Sequence, residues 1–229
     1  MIKICIPSFN RWYTIKENTI NLVKDLFELY VFVEDENNFN NYSKELELNI
    51  KIIQTNTKKI APKRNFILNY FKEDKIVMLD DDIKMYYVKK ELIKMSEDQI
   101  KKFIELFLYC EKNLIKLFVY PIKNNFFMNK SIKNDFIIQF MIIINNLRFD
   151  EIINSKEDYD FTLQNIKKFA VARYQMICLQ AMKKNNNKCN EYRNDKTESE
   201  DFLYMKDKWD YIRENTKRKN EIIINKIIK

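Results

Sequence analysis

The stretch KIVMLDDDI, Lys75 to Ile83, decides how this chain is read. An apolar run of strand length ends abruptly at Asp80, Asp81 and Asp82. A short continuous apolar run bounded by turn formers predicts a strand buried on both faces, as in a parallel sheet. In an open parallel sheet, ligands bind outside the carboxyl ends of the strands, so the acid triplet is expected at that edge. Acids alternating there, at 80 and 82, offer oxygen ligands to a hard divalent cation that bridges a diphosphate. The plainer reading of an isolated acid triplet is a solvated turn capping the next helix.

Working toward the N-terminus, strand and helix patterns alternate. IKICIPSF reads as a buried strand closed by Pro7, and TIKENTINLVKDLFELY has apolar residues at helical spacing with Thr14 as its cap. YVFVEDENN is a second strand, NIKIIQTN a third, and Pro62 opens the helix PKRNFILNYFK. This rhythm predicts an α/β fold, a mostly parallel sheet of crossover units covered by helices on both faces. The ends of strands one, two and four then share one edge, which gathers Arg11, the pair Glu34 and Asp35, and the acid triplet, with Arg64 and Asn65 on the neighbouring helix. Taken singly, these are a strand-end turn, a solvated acid pair and an exposed helix face.

Toward the C-terminus the pattern predicts a helix from Ser96 to Leu117, then the β-rich pieces IKLFVYPI and DFIIQFMIII. Leu163 to Lys184 reads as mainly helical with room for a strand, Lys183 to Asn190 as a linker, and Asp201 onward as a charged amphipathic helix. The division expected is one domain over 1–182, with a nucleotide half to about 95 and an acceptor half beyond, then a linker and helical tail over 183–229. SKEDYDFTLQ places Glu157, Asp158 and Asp160 at the head of an apolar-periodic helix. Ser155 and Asp158 match a capping box there, though a carboxylate facing a cleft at this position can serve as a general base.

Composition removes several mechanisms. The 229 residues contain no His, which excludes a His base, a Ser-His-Asp triad and His-ligated zinc. They contain no Gly either, so turns needing positive φ fall to Asn or Asp, with Asn37-Asn38, Asn124-Asn125, Asn145-Asn146 and Asn185-Asn186 as candidates. Cys5, Cys110, Cys178 and Cys189 lie far apart without a CxxC pair, which suggests free thiols in a reducing compartment. No secretory pattern opens the chain, and its longest apolar run, Phe136 to Ile144, is too short to span a bilayer, so a cytoplasmic location is expected. A net charge of +8 favours polyanionic partners such as nucleic acid, although a Lys-rich coding bias explains it equally well.

Together, IPSFNR, VFVEDENN, KRNFIL, MLDDDI and RFDEIINSKEDYDFTLQ resemble, in order and spacing, a nucleotide-diphospho-sugar transferase of the GT-A fold, close to the family 2 glycosyltransferases. The resemblance covers roughly residues 2 to 170. It implies a donor pocket lined by Pro7, Ser8, Asn10, Arg11, Glu34, Arg64, Asp80 and Asp81, and a manganese or magnesium ion on Asp80 and Asp82. It implies Asp158 as general base, with Asp150, Glu151 and Glu157 on the acceptor side, and a nucleotide diphosphate sugar, UDP-linked above all, as donor. The short chain, the IPSFNR start, APKRN and DDDI are similar to phage TET-associated glycosyltransferases, which implies a hydroxymethylated base in DNA as acceptor, in a host cytoplasm. Leu147-Arg148 stands where the family has Gly before Phe-Asp-Glu, and the family's late metal-binding His is absent. Glu198, Glu200 and Asp201 are the candidates for a replacement. The rival readings are a transferase acting on a surface glycan or protein, and a non-catalytic nucleic-acid-binding protein whose basic and aromatic residues supply charge and stacking.

Overall fold

Along β1 (Ile2–Pro7), Ile4 and Ile6 join one apolar cluster while Cys5 joins another. The same alternation runs through β2 (Glu28–Val33), where Leu29, Val31 and Val33 oppose Tyr30 and Phe32. It recurs in β4 (Lys75–Leu79), where Val77 and Leu79 oppose Ile76 and Met78. Period-two burial on both sides means a sheet covered on both faces. The parallel register aligns it, with Ile4 between Leu29 and Val77, and Cys5 between Tyr30 and Met78. Full burial of each such aliphatic side chain contributes about 1.5–3 kcal/mol.

The computed structural model describes residues 2–25, 27–72, 75–88, 92–94, 96–98, 101, 115–119, 140–143, 146–173, 177–181, 192, 194–210, 212–216 and 222–224. β3 (Lys51–Gln54) extends the sheet beside β2; β8 (Phe140–Ile143), β7 (Ile115–Val119) and β9 (Ala170–Arg173) complete it beyond β4. The order is β3-β2-β1-β4-β8-β7-β9, and β8 alone runs against the other strands. β5 (Ile83–Val88), β6 (Leu92–Lys94) and β10 (Ile177–Ala181) form a separate antiparallel sheet, which begins directly after the acid triplet.

One face of the main sheet is covered by a broken helix and by α3 (Glu36–Glu45). The broken helix is α1 (Trp12–Ile15), a π-helical turn (Lys16–Ile20) and α2 (Asn21–Val23). The other face packs against α4 (Ile60–Tyr70) and α5 (Glu157–Lys168), where the Phe149 and Phe161 rings stack at 4.0 Å. The α/β expectation therefore holds, and so does the helix around Pro62, which sits in the first turn of α4 where its missing N–H costs nothing.

Several local expectations are corrected. The first helix ends at Val23 rather than continuing to Tyr30, because Leu29 and Tyr30 belong to β2, and its N-cap is Arg11 rather than Thr14. Leu163 to Lys184 is helical only to Lys168 and then supplies β9 and β10. Asn37 and Asn38 lie inside α3, capped by Asp35, and the positive-φ turns among the described residues are made by Asn10 and Asn56 instead. Asn was the right residue type at the wrong addresses. Strand β7 starts at Ile115, so the helix expected from Ser96 does not reach Leu117; residues 102–110, Asn124-Asn125, Asn185-Asn186 and the proposed linker lie outside the described residues.

The tail is not one long helix. It folds as α6 (Asp195–Lys208), opened by a reciprocal Asn194–Thr197 capping box, followed by a hairpin of β11 (Ile212–Glu214) and β12 (Ile222–Ile224). Phe202, Met205, Trp209, Ile212 and Ile222 bury themselves with Leu163 of α5 and with Ile153. Asp201, 3% exposed, fastens this body to the loop before α5 by accepting from the Asn154 amide at 3.1 Å and from the Ser155 amide and hydroxyl, both at 2.7 Å. Asp201→Ala should lower stability by about 1.5–3 kcal/mol in urea denaturation, since hydrogen bonds to a buried charge are lost together. An unchanged urea midpoint would show that the clamp contributes nothing.

A second tether has a pH window. Tyr204 and Lys208 donate to Asp150 at 2.7 and 2.6 Å, and Lys208 also pairs with the fully buried Asp160 at 2.9 Å. Burial pulls the Asp150 carboxyl upward, but Lys208 and Tyr204 outweigh it and hold the group below 3.8. Burial pulls Lys208 down, but the two carboxylates push it above 10.5. The depressed carboxylate contributes fully above its unfolded value and loses that contribution as pH falls through the lower folded one. The raised amine contributes fully below its unfolded value and loses it as pH rises through the higher folded one. In a Trp12→Phe background, which leaves Trp209 as the one indole, fluorescence should therefore stay constant between pH 3.8 and 10.5 and change outside that window.

Candidate active site

The acid triplet emerges from the carboxyl end of β4, next to the end of β1. Backbone is fixed there first. Thr19, fully buried in the π-helical turn, donates to the Asp80 carbonyl at 2.8 Å and accepts from the Ile83 amide at 3.1 Å, which spans the triplet. π-helical turns are rare and concentrate at functional sites. From the β1 side, the Ser8 hydroxyl meets both Asp81 and the Tyr42 phenol, while the Ser8 carbonyl accepts from Lys63 Nζ at 3.0 Å. Asn10 takes φ 52, and its amide reaches Asn38 Oδ1 at 2.9 Å; the Arg11 amide donates to the Tyr42 phenol at 3.0 Å. The turn after Pro7 is thus held by α3, and Arg11 is aimed at the acids.

The three acids then differ in environment. Asp81 is buried and both its oxygens are engaged, one by Ser8 and the other by Arg11 Nη1 at 2.5 Å. Burial raises its carboxyl to about 6 despite Arg11. Asp82 also touches Arg11 Nη1, at 2.8 Å, and burial together with the charge of Asp80 raises its pKa. Asp80 and Asp82 keep side-chain exposures of 25% and 22%, so both can reach a ligand. The Tyr42 phenol is pushed above its ordinary range by burial and by the charge of Asp81.

Arg64 of α4 connects the triplet to the head of α5. Its Nη2 contacts Asp80 Oδ1 at 3.1 Å and its Nη1 contacts Glu157 Oε1 at 2.9 Å, with Arg64 and Glu157 side chains only 4% and 3% exposed. Burial draws Arg64 toward neutrality, but the charges of Asp80, Glu157 and Asp158 outweigh this and raise its pKa. Asn65, one residue on, holds the Phe149 backbone through both its carbonyl and amide groups, at 2.8 and 2.9 Å, and reaches Glu151 at 2.8 Å. The expectation that Ser155 caps α5 is corrected. The N-cap is Lys156 without a side-chain cap, because the Ser155 hydroxyl is turned to Asp201. Asp158 is buried in the first turn, where Oδ1 accepts from the Tyr159 amide at 2.8 Å.

Five carboxyl groups, Asp80, Asp81, Asp82, Glu157 and Asp158, thus lie along a path bridged by two guanidinium groups, Arg11 and Arg64. Such an acid excess suits a bound cation. Among the described residues no group of three or more His, Cys, Asp or Glu side chains forms a metal cage. Two partly exposed carboxylates fit the other way of holding magnesium or manganese, in which one or two protein acids share the ion with substrate phosphates and water. Asp201 is committed to the loop before α5, while Glu198 and Glu200 lie in the first half of α6.

Of the remaining sequence candidates, Pro7 closes β1, Glu34 follows β2, and Asp150 is bound by the tail. Thr19, Tyr42 and Lys63 were missed. Lys63 alone had a legible signal, lying inside the KRN stretch already singled out.

No family model and no curated protein matches the chain. Solved structures do. Glucosyl-3-phosphoglycerate synthase from Mycobacterium tuberculosis, in complex with Mn2+, UDP and glucosyl-3-phosphoglycerate, aligns with TM-score 0.54 and 9% identity over 81% of this chain and 73% of that one. The same enzyme with Mg2+ and UDP gives TM-score 0.53, again at 9% identity and with the same coverage of both chains. At these identities the likeness is one of fold, and the fold is that of the GT-A-like nucleotide-sugar transferases, as the sequence resemblance implied.

Proposed function

We propose that this chain transfers a glycosyl group from a nucleoside diphosphate sugar to an acceptor hydroxyl with the help of a divalent metal. The observation that carries this reading is the Arg64 bridge, which sets the partly exposed Asp80 at the end of β4 beside the Glu157-Asp158 pair at the head of α5. Asp80 and Asp82 would hold manganese or magnesium, which when bound stabilises the departing diphosphate. Pro7, Ser8, Asn10, Arg11, Glu34, Arg64 and Asp81 frame the nucleotide side, where Arg11 holds Asp81 and Asp82. Asp158 accepts the acceptor proton if configuration inverts. Glu157 orients Arg64, while Glu151, fixed by Asn65, stands toward the acceptor. UDP is the favoured nucleotide, since the aligned synthase structures bind it. A hydroxymethylated base in DNA is the acceptor we favour, in a host cytoplasm; the net charge of +8 supports a polyanion. No helix among the described residues is long and apolar enough to cross a membrane.

The test is a panel of nucleotide sugars, with and without manganese, on wild type and Asp158→Asn. The expected result is metal-dependent binding of one donor by both proteins, with transfer to hydroxymethylated DNA reduced about 100-fold or more in the variant. A folded wild type that ignores every donor would overturn the transferase reading; donor binding without glycosyl transfer to DNA would overturn only the acceptor.

A further inference from the structure

Beyond the acid site, one groove of about 640 Å³ has walls that are mainly basic. It lies between the loop carrying Arg148, the C-terminal half of α5 and Trp209 at the end of α6. Ten residues along α5 separate Asp158 from Lys168, about 15 Å at the helical rise, which sets the Lys168 end of the groove away from the head of α5.

The charges on its walls are unequal in kind. Asp150, the carboxylate on the wall, is spent on Tyr204 and Lys208, and Lys208 is neutralised by Asp150 and Asp160. Arg148, Lys167 and Lys168 form no ion pair among the described residues. Arg148 is nonetheless held in place. Its Nε and Nη2 donate to Asn69 Oδ1 at 3.0 and 2.8 Å, and its Nη1 to the Asn146 and Leu147 carbonyls at 3.1 and 2.9 Å. All these acceptors are neutral, so the guanidinium keeps its full charge, and among the described residues one of its five N–H donors, on Nη2, has no acceptor. The Lys167 ammonium sits 5.7 Å from the Trp209 ring centroid, which steadies it over an aromatic wall. Lysines in a last turn complement the helix dipole, and that accounts for Lys167 and Lys168. It does not account for an arginine from another segment, locked by neutral groups and turned to the same groove.

We infer that this groove binds a phosphate group, with Arg148 as the fixed donor and Lys167 and Lys168 as the surrounding charge. A planar, always-charged guanidinium is the side chain suited to phosphate oxygens. The phosphate belongs either to a free monoester or to a nucleic-acid backbone, and both present the same oxygens. The site stands independently of the transfer reading.

The test uses the full chain in the Trp12→Phe background, with Trp209 fluorescence and calorimetry as parallel readouts. Inorganic phosphate is titrated in one arm and a 12-nucleotide single strand in the other. Saturable binding of either probe is expected, weakened about tenfold or more by Arg148→Ala and by Lys167→Ala/Lys168→Ala, and unaltered by Asp82→Ala. Response to phosphate alone identifies a monoester site; response to the oligonucleotide alone, falling steeply with salt, identifies backbone binding. Absence of saturable binding in both arms overturns the inference, and so does binding that ignores the Arg148 and Lys167/Lys168 changes in variants with wild-type melting.

Discussion

Asp82→Ala is expected to reduce manganese-dependent glycosyl transfer by about 100-fold or more with the fold intact. A metal acting as Lewis acid supplies several kcal/mol of transition-state stabilisation, and each 1.36 kcal/mol is about tenfold in rate. The fold should tolerate the change because Asp82 keeps 22% side-chain exposure and its partner, Arg11 Nη1, also contacts Asp81 at 2.5 Å. Transfer assays across a manganese titration, with melting curves alongside, provide the check. Wild-type metal dependence in the variant would remove Asp82 from the metal site.

Arg64→Ala should produce the largest stability loss, about 3–5 kcal/mol in chemical denaturation, because it strands a buried Glu157 carboxylate. The pair is already imperfect: Arg64 Nε and Glu157 Oε2 are buried without hydrogen-bond partners among the described residues. Adding Glu157→Gln to Arg64→Ala removes the stranded charge and should restore part of the loss. A single-variant cost near that of an exposed ion pair, about 1 kcal/mol or less, would contradict the role assigned to burial.

The inner half of the sheet was legible because apolar strands with polar ends leave little freedom. Ile4, Val31 and Val77 had to be inside, and everything after them had to meet at one edge. The Arg64 bridge was half legible: KRN and KEDYD were both visible, but a contact spanning 93 residues has no local signature. Thr19 was hidden because a π-helical turn looks like any amphipathic helix in sequence. Ser155 misled for a physical reason. Its hydroxyl had two competing roles, accepting from the backbone N–H groups of the helix start or donating to Asp201, and local pattern reading sees only the first. The tail's departure from a single helix was not legible, because α6 and the hairpin share a charged, amphipathic composition whose pattern does not mark the break between them.

The Asp201 clamp also sets an order of events during synthesis. The loop it holds, Asn154 and Ser155, leaves the ribosome 46–47 residues earlier than Asp201 itself. Translation adds about 5–20 residues per second, and N-terminal parts fold first. The β1-β2-β4 sheet therefore has seconds in which to assemble before the head of α5 receives its anchor. A nascent chain stalled before Asp201 would carry the acid triplet on its strand while the Asn154-Ser155 loop still lacked its clamp.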